Sequence, residues 1–122
     1  METSKTLMIV DDSKVARMMT KSIIHNAHPD WLIVEANDGY EAIELAKKQA
    51  IDYFSVDLNM PGIEGFEVIE KICTLSPKAK FALLTANIQQ STHDKATKMN
   101  IKCINKPITE QSISQMLEYF ND

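Results

Sequence analysis

Tyr53-Phe54-Ser55-Val56-Asp57-Leu58-Asn59-Met60-Pro61-Gly62 is a run of large apolar and β-branched residues that stops on an acid and enters a Pro-Gly turn. Such a run reads as a buried strand, and Asp57 then stands at its carboxyl end. In open parallel α/β sheets that edge gathers ligands and chemistry, because the strands there open into loops and helix N-termini. Working outward, Leu7-Met8-Ile9-Val10 is a second apolar run, and it too stops on acids, Asp11-Asp12. Ser13 is placed to cap the following helix, where Val15, Met18, Met19, Ser22 and Ile23 recur at helical spacing up to a break at Asn26 to Pro29.

The same alternation continues through the chain. Trp31 to Val34 reads as a strand, and Asp38 as the cap of a helix with Ala42, Ile43, Ala46 and Ala50 on one face. Beyond Asp57, Gly65 to about Leu75 carries Phe66, Ile69, Ile72 and Cys73 at helical spacing and ends at Ser76-Pro77. Lys80 to Leu84 is a buried-type strand ending on Thr85-Ala86-Asn87. A more polar helix follows over roughly Ile88 to Met99, with Asn100 where a left-handed residue would stop it. Ile101 to Asn105 is a short strand before Lys106-Pro107, and Thr109 can cap a final helix bearing Ile113, Met116, Leu117 and Phe120. Five β-α units in succession imply a parallel sheet with helices on both faces and right-handed crossovers.

Composition narrows the functional classes. A chain of 122 residues, 44% of them hydrophobic, suits one domain with a single core. A formal charge of −4 gives no footprint for nucleic acid. The longest apolar runs fall far short of the roughly 18 residues of a membrane helix, and no signal peptide precedes the first strand, so membrane insertion is not expected and the chain reads as soluble and cytoplasmic. Cys73 and Cys103 form no C-x-x-C pair and read as small core hydrophobes. His25, His28 and His93 lack metal-site spacing and read as surface or helix-end residues.

The chemistry comes from what ends each strand: Asp11 and Asp12 after the first, Asp57 after the third, Thr85 after the fourth and Lys106 after the fifth. All fall on one edge of a parallel sheet. Clustered carboxylates repel and raise one another's pKa unless a positive group joins them. An oxygen-only donor set in an open, partly hydrated pocket suits Mg²⁺, whereas zinc would prefer His or Cys. Asp57 could then attack phosphorus as a carboxylate nucleophile, with Lys106 and the Thr85 hydroxyl engaging the phosphoryl oxygens. Alone, Thr85 reads first as a turn residue, Lys106 as a solvated cation and Asp11-Asp12 as a helix cap; their convergence is what points to a site.

These residues resemble the receiver domains of two-component response regulators, specifically the single-domain CheY-like family. The resemblance rests on Val10-Asp11-Asp12-Ser13, Glu35-Ala36-Asn37-Asp38-Gly39-Tyr40-Glu41-Ala42, Asp57-Leu58-Asn59-Met60-Pro61-Gly62 with Gly65, Leu84-Thr85-Ala86-Asn87 and Lys106-Pro107. It implies a doubly wound, flavodoxin-like sheet of five parallel strands in the order 2-1-3-4-5 with five helices. It also implies that residues 1–122 form a receiver domain without an output domain. By the same resemblance Asp57 is the phosphoacceptor, and Mg²⁺ is held by Asp11 through water, by Asp12 and Asp57, and by the Asn59 backbone carbonyl. Lys106 becomes the phosphoryl-binding cation, Thr85 the switch hydroxyl, and the Lys106–Pro107 peptide cis.

The implied function is a switch rather than an enzyme acting on a metabolite. A histidine kinase donates the phosphoryl group, and a protein target or phosphatase reads the surface of the last two helices and last strand, in a pathway of chemotaxis type. The alternative is a phosphate sink or relay intermediate without an effector surface. An aspartyl-phosphate hydrolase would need a cap or substrate pocket, and a flavin binder a Gly/Ser/Thr-rich phosphate loop where this chain has acids. Two positions depart from the family pattern. Cys103 stands where an aromatic switch residue is usual, leaving output to the Thr85 loop, and Ser55 is polar in a strand normally apolar throughout. Asn59 and Asn87, each two residues beyond a site residue, are expected to tune phosphoryl lifetime.

Overall fold

The computed structural model describes residues 4–86 and 89–121. Its elements are β1 (Thr6–Val10), α1 (Lys14–Ala27), β2 (Leu32–Ala36), α2 (Gly39–Lys48), β3 (Tyr53–Asp57), α3 (Gly65–Leu75), β4 (Lys80–Thr85), α4 (Gln90–Lys98), β5 (Lys102–Asn105) and α5 (Glu110–Asn121). The five strands form one sheet in the order β2-β1-β3-β4-β5, every neighbouring pair parallel. This is the doubly wound architecture and strand order that the sequence implied.

The sheet divides the apolar side chains by strand alternation. One face carries Met8, Val10, Phe54, Val56, Phe81 and Leu83 against α2, α3 and α4, with Ile69 and Ile72 fully buried. The other carries Leu7, Ile9, Tyr53, Ala82, Leu84 and Ile104 against Ile24 of α1 and Ile113, Met116 and Phe120 of α5. β3 is buried at every residue, which explains its unbroken apolar reading, and Ser55 lies buried within it. On the second face Phe120 stacks on Tyr53 at 4.6 Å between ring centroids, tying the last helix to the central strand.

The helix boundaries follow from local chemistry. The Ala16 amide donates to Ser13 Oγ at 3.2 Å. At α2 a reciprocal cap forms, with the Glu41 amide donating to Asp38 Oδ1 at 2.8 Å and the Asn37 amide to Glu41 Oε1 at 2.7 Å. Thr109 Oγ1 accepts from the Ser112 amide at 3.0 Å, and Ser112 Oγ from the Thr109 amide at 2.9 Å. Asn100 adopts φ 61°, the left-handed stop expected of it, while the Ile101 amide closes back on the Ala96 carbonyl at 2.9 Å.

Four expectations are corrected. Of the expected α1 stripe only Ile23 packs against the core; Ser22 is exposed, Val15, Met18 and Met19 are 66%, 57% and 46% exposed, and the fully buried residues are Thr20 and Ile24. Spacing identified a stripe, but the sheet takes the stripe rotated from it by about 100°, one residue along the helix. Cys73 is exposed rather than a core residue, and Cys103 is half-buried against the first apolar layer. The second strand begins at Leu32, because the Trp31 amide closes a turn on the His28 carbonyl at 3.1 Å and the Leu32 amide is the one that reaches the Lys5 carbonyl, at 2.9 Å; Trp31 is buried and stacks on His28 at 3.8 Å. Ala50 lies beyond the end of α2 and is exposed.

Candidate functional site

The strand order reverses between β1 and β3, and the loops leaving those two strands diverge to opposite faces of the sheet. Asp11-Asp12 and Asp57 follow these strands directly, so the reversal gathers the acids at one point. One carboxylate oxygen from each of Asp11, Asp12 and Asp57 lies within 4.8 Å of the others. Asp11 and Asp57 are buried, while Asp12 is exposed at the rim.

Lys106 enters from the end of β5. Its Nζ lies 3.1 Å from Asp57 Oδ1 and 3.9 Å from Asp11 Oδ2. Its own amide donates to the Thr85 carbonyl at 2.9 Å, and the Lys106–Pro107 peptide is cis, as the resemblance implied. Thr85 is fully buried at the end of β4, one residue beyond Leu84, the partner of Asp57 across the sheet. Burial pushes the Asp57 carboxyl above the ordinary aspartate value; the hydrogen bond and charge of Lys106 oppose the rise, and the charges of Asp11 and Asp12 add to it.

The pocket walls are set by close backbone approach. The Gly65 amide donates to the Leu58 carbonyl at 3.0 Å, and a side-chain carbon at Gly65 would stand 2.7 Å from the Asp57 carbonyl oxygen. Gly62, at φ 86°, makes the turn out of the acid loop. On the other wall the Ser13 amide donates to Asp11 Oδ1 at 2.9 Å, and Arg17 Nη1 to the Asp11 backbone carbonyl at 2.6 Å.

The structure thus brings together Asp11, Asp12, Asp57 and Lys106, with Thr85 beside them. Asn59 lies in the loop two residues past Asp57 and is exposed. Cys103 pairs with Leu83 across the sheet, on β5. Asn87 falls outside the described residues. Sequence reasoning missed Arg17 and its partner Glu35, whose Oε1 accepts from Arg17 Nε at 3.1 Å. The available signal was an Arg on the first turns of the helix that follows the acids.

As a donor set, three carboxylates with neither His nor Cys among them fit a hard, oxygen-seeking cation such as Mg²⁺. Fold and pocket together define a doubly wound α/β protein with an acid-and-lysine pocket at its switch point. The chain belongs to the response regulator receiver domain family, which it matches over residues 7–118. It is 34% identical over 114 residues to chemotaxis protein CheY of Thermotoga maritima, covering 93% of this chain and 94% of that one. Protein CcdB of Bacillus subtilis is 34% identical over 109 residues, 88% of this chain and 89% of that protein. Among solved structures, Vibrio cholerae CheY4 shares the fold at a TM-score of 0.86 and 22% identity, over 97% of this chain and 99% of that one. These relationships place the chain in two-component signalling as a CheY-like receiver domain. Among the described residues, no helix is long and apolar enough to cross a membrane.

Proposed function

We propose that this chain is the cytoplasmic receiver domain of a response regulator, in which Asp57 accepts a phosphoryl group from the phosphohistidine of a histidine kinase. The observation that carries the reading is the 3.1 Å approach of Lys106 Nζ to Asp57 Oδ1 inside a cluster of three carboxylates. Asp11, Asp12, Asp57 and the Asn59 carbonyl would hold Mg²⁺, which when bound supplies positive charge for the phosphoryl oxygens. Asp57 Oδ forms the new bond to phosphorus as the phosphorus–nitrogen bond breaks, and the departing imidazole nitrogen keeps the electron pair and takes up a proton. Lys106, already against Asp57, engages a phosphoryl oxygen in the product, and the Thr85 hydroxyl donates to another.

The chain is a phosphoacceptor switch that assists its own phosphorylation and hydrolysis, not an enzyme with a diffusing substrate. Drawing Thr85 inward moves the loop after β4 and reshapes the α4-β5-α5 face, which a target or phosphatase reads. Similarity to chemotaxis proteins along nearly the whole chain supports a chemotaxis-type pathway. A sink or relay role is favoured by one observation, the half-buried Cys103 where an aromatic ring would otherwise carry the switch to this face.

The test is intact-protein mass after incubation with Mg²⁺ and a small acyl-phosphate donor. A phosphoryl-sized gain that requires both Mg²⁺ and Asp57, and is absent in Asp57→Asn, is the expected result. A gain that survives Asp57→Asn overturns the assignment of the acceptor. Phosphorylation-dependent affinity for a partner separates the switch from the sink.

A further inference from the structure

Asp11 and Asp12 stand on the short link between β1 and α1, and the backbone of that link is held by Arg17. The guanidinium makes two contacts of different kinds: Nη1 donates to the Asp11 backbone carbonyl at 2.6 Å, and Nε to Glu35 Oε1 at 3.1 Å. Its side chain is only 14% exposed. Glu35 lies on β2, beside Ile9 of β1. One planar fork therefore joins α1, the end of β1 and β2 at the wall of the acid pocket. Lys21 also reaches Glu35, at 3.5 Å, but is 49% exposed and touches nothing of the acid link. The Asp11 side chain is held separately, by the Ser13 amide on Oδ1 at 2.9 Å and by Lys106 Nζ, 3.9 Å from Oδ2.

We propose that Arg17 is a positioning residue of the pocket: by fixing the Asp11 carbonyl it sets the direction in which the Asp11 and Asp12 carboxylates leave the chain, and so the affinity of the pocket for a divalent cation. This rests on the reading of the pocket as a Mg²⁺ site. The two effects of Arg17 on such a cation have opposite signs. Its charge repels the cation, so deleting the charge alone strengthens binding. Its hydrogen bond orders the donors, so deleting the bond weakens binding. A loss of affinity on removing a cation is therefore evidence for positioning and cannot come from the field.

The experiment is calorimetric titration of the full chain with Mg²⁺ alone, together with urea unfolding of each variant. Arg17→Ala is expected to weaken Mg²⁺ binding by about tenfold. Arg17→Lys keeps the charge but has no planar fork to span both acceptors, and is expected to remain at least roughly threefold weaker than wild type. Lys21→Ala removes a second cation from Glu35 without touching Asp11, and should stay within about twofold of wild type. If Arg17→Ala does not fold, Arg17→Lys carries the comparison. Unchanged or tighter binding in the folded Arg17 variants overturns the proposal while leaving the metal site intact, as does an equal loss in Lys21→Ala. Wild-type protein that binds no Mg²⁺ overturns the pocket reading and this proposal together.

Discussion

Gly65→Ala is the substitution for which the structure gives the sharpest expectation. An added Cβ would stand 2.7 Å from the Asp57 carbonyl oxygen, 2.9 Å from Leu58 Cα and 3.0 Å from Leu83 Cδ1, where ordinary contact begins at 3.4 Å. The leucine methyl can rotate away, but the other two atoms are backbone at the very end of β3. The start of α3 and the strand that carries Asp57 must then separate by about 0.7 Å at the closest point, stretching the hydrogen bond from the Gly65 amide to the Leu58 carbonyl. Overpacking of this kind costs about 1–3 kcal/mol. The better helix propensity of Ala offsets up to ~1 kcal/mol. With an unfolding entropy of about 2.1 cal/mol/K per residue over 122 residues, a net loss of about 1–2 kcal/mol lowers Tm by roughly 4–8 °C. Because the displaced atoms belong to Asp57 and its neighbour, labelling by an acyl phosphate should also slow, by about tenfold for a shift of this size. Scanning calorimetry and timed intact-protein mass measure the two effects. A Gly65→Ala protein that melts at or above wild type and labels at the same rate refutes the claim that this contact positions Asp57.

Two further outcomes follow from the pocket electrostatics. The Asp57 carboxyl titrates above its ordinary value of 3.8, chiefly through burial, so the stability gained from its neutral form is fully present below 3.8 and is lost as pH rises through the raised value. Asp57→Asn removes that loss, and in chelator its urea midpoint at pH 7 should exceed that of wild type, with Mg²⁺ narrowing the gap; a lower midpoint for the variant contradicts the sign. Lys106→Ala deletes the 3.1 Å contact to Asp57, and should slow acyl-phosphate labelling about a hundredfold while Mg²⁺ affinity holds or rises; labelling within about twofold of wild type would remove Lys106 from the chemistry.

The sheet and its pocket were legible because strand ends are written in residue types that serve no interior purpose. An apolar run that stops on Asp11, on Asp57, or before Lys106 marks both where the strand ends and what it delivers, and parallel topology carries all these ends to one edge. Caps were legible for a related reason, since Ser13, Asp38 and Thr109 satisfy amides within three residues of themselves. Lys106 and Thr85 were read as phosphoryl partners from what ends their strands, whereas the metal-binding carbonyl of Asn59 and the switching role of Thr85 came from resemblance.

What stayed illegible is the rotation of a helix about its own axis. In α1 the residues Val15, Met18 and Met19 compose as apolar a stripe as the sequence offers, yet the helix turns Thr20 and Ile24 inward. Burial of Ile24, with Ile23 packed beside it, supports this rotation, and a second interaction adds to it. Arg17 lies on the inward side, and its two hydrogen bonds, to the Asp11 carbonyl and to Glu35, can form only with that side against β1 and β2. A hydrogen bond to a charged group contributes about 1.5–3 kcal/mol, comparable with the burial of one large apolar side chain. The rotation that leaves the methionines in solvent is therefore the one that fastens the acid link, and the helix gives up apolar burial where the pocket needs a fixed wall.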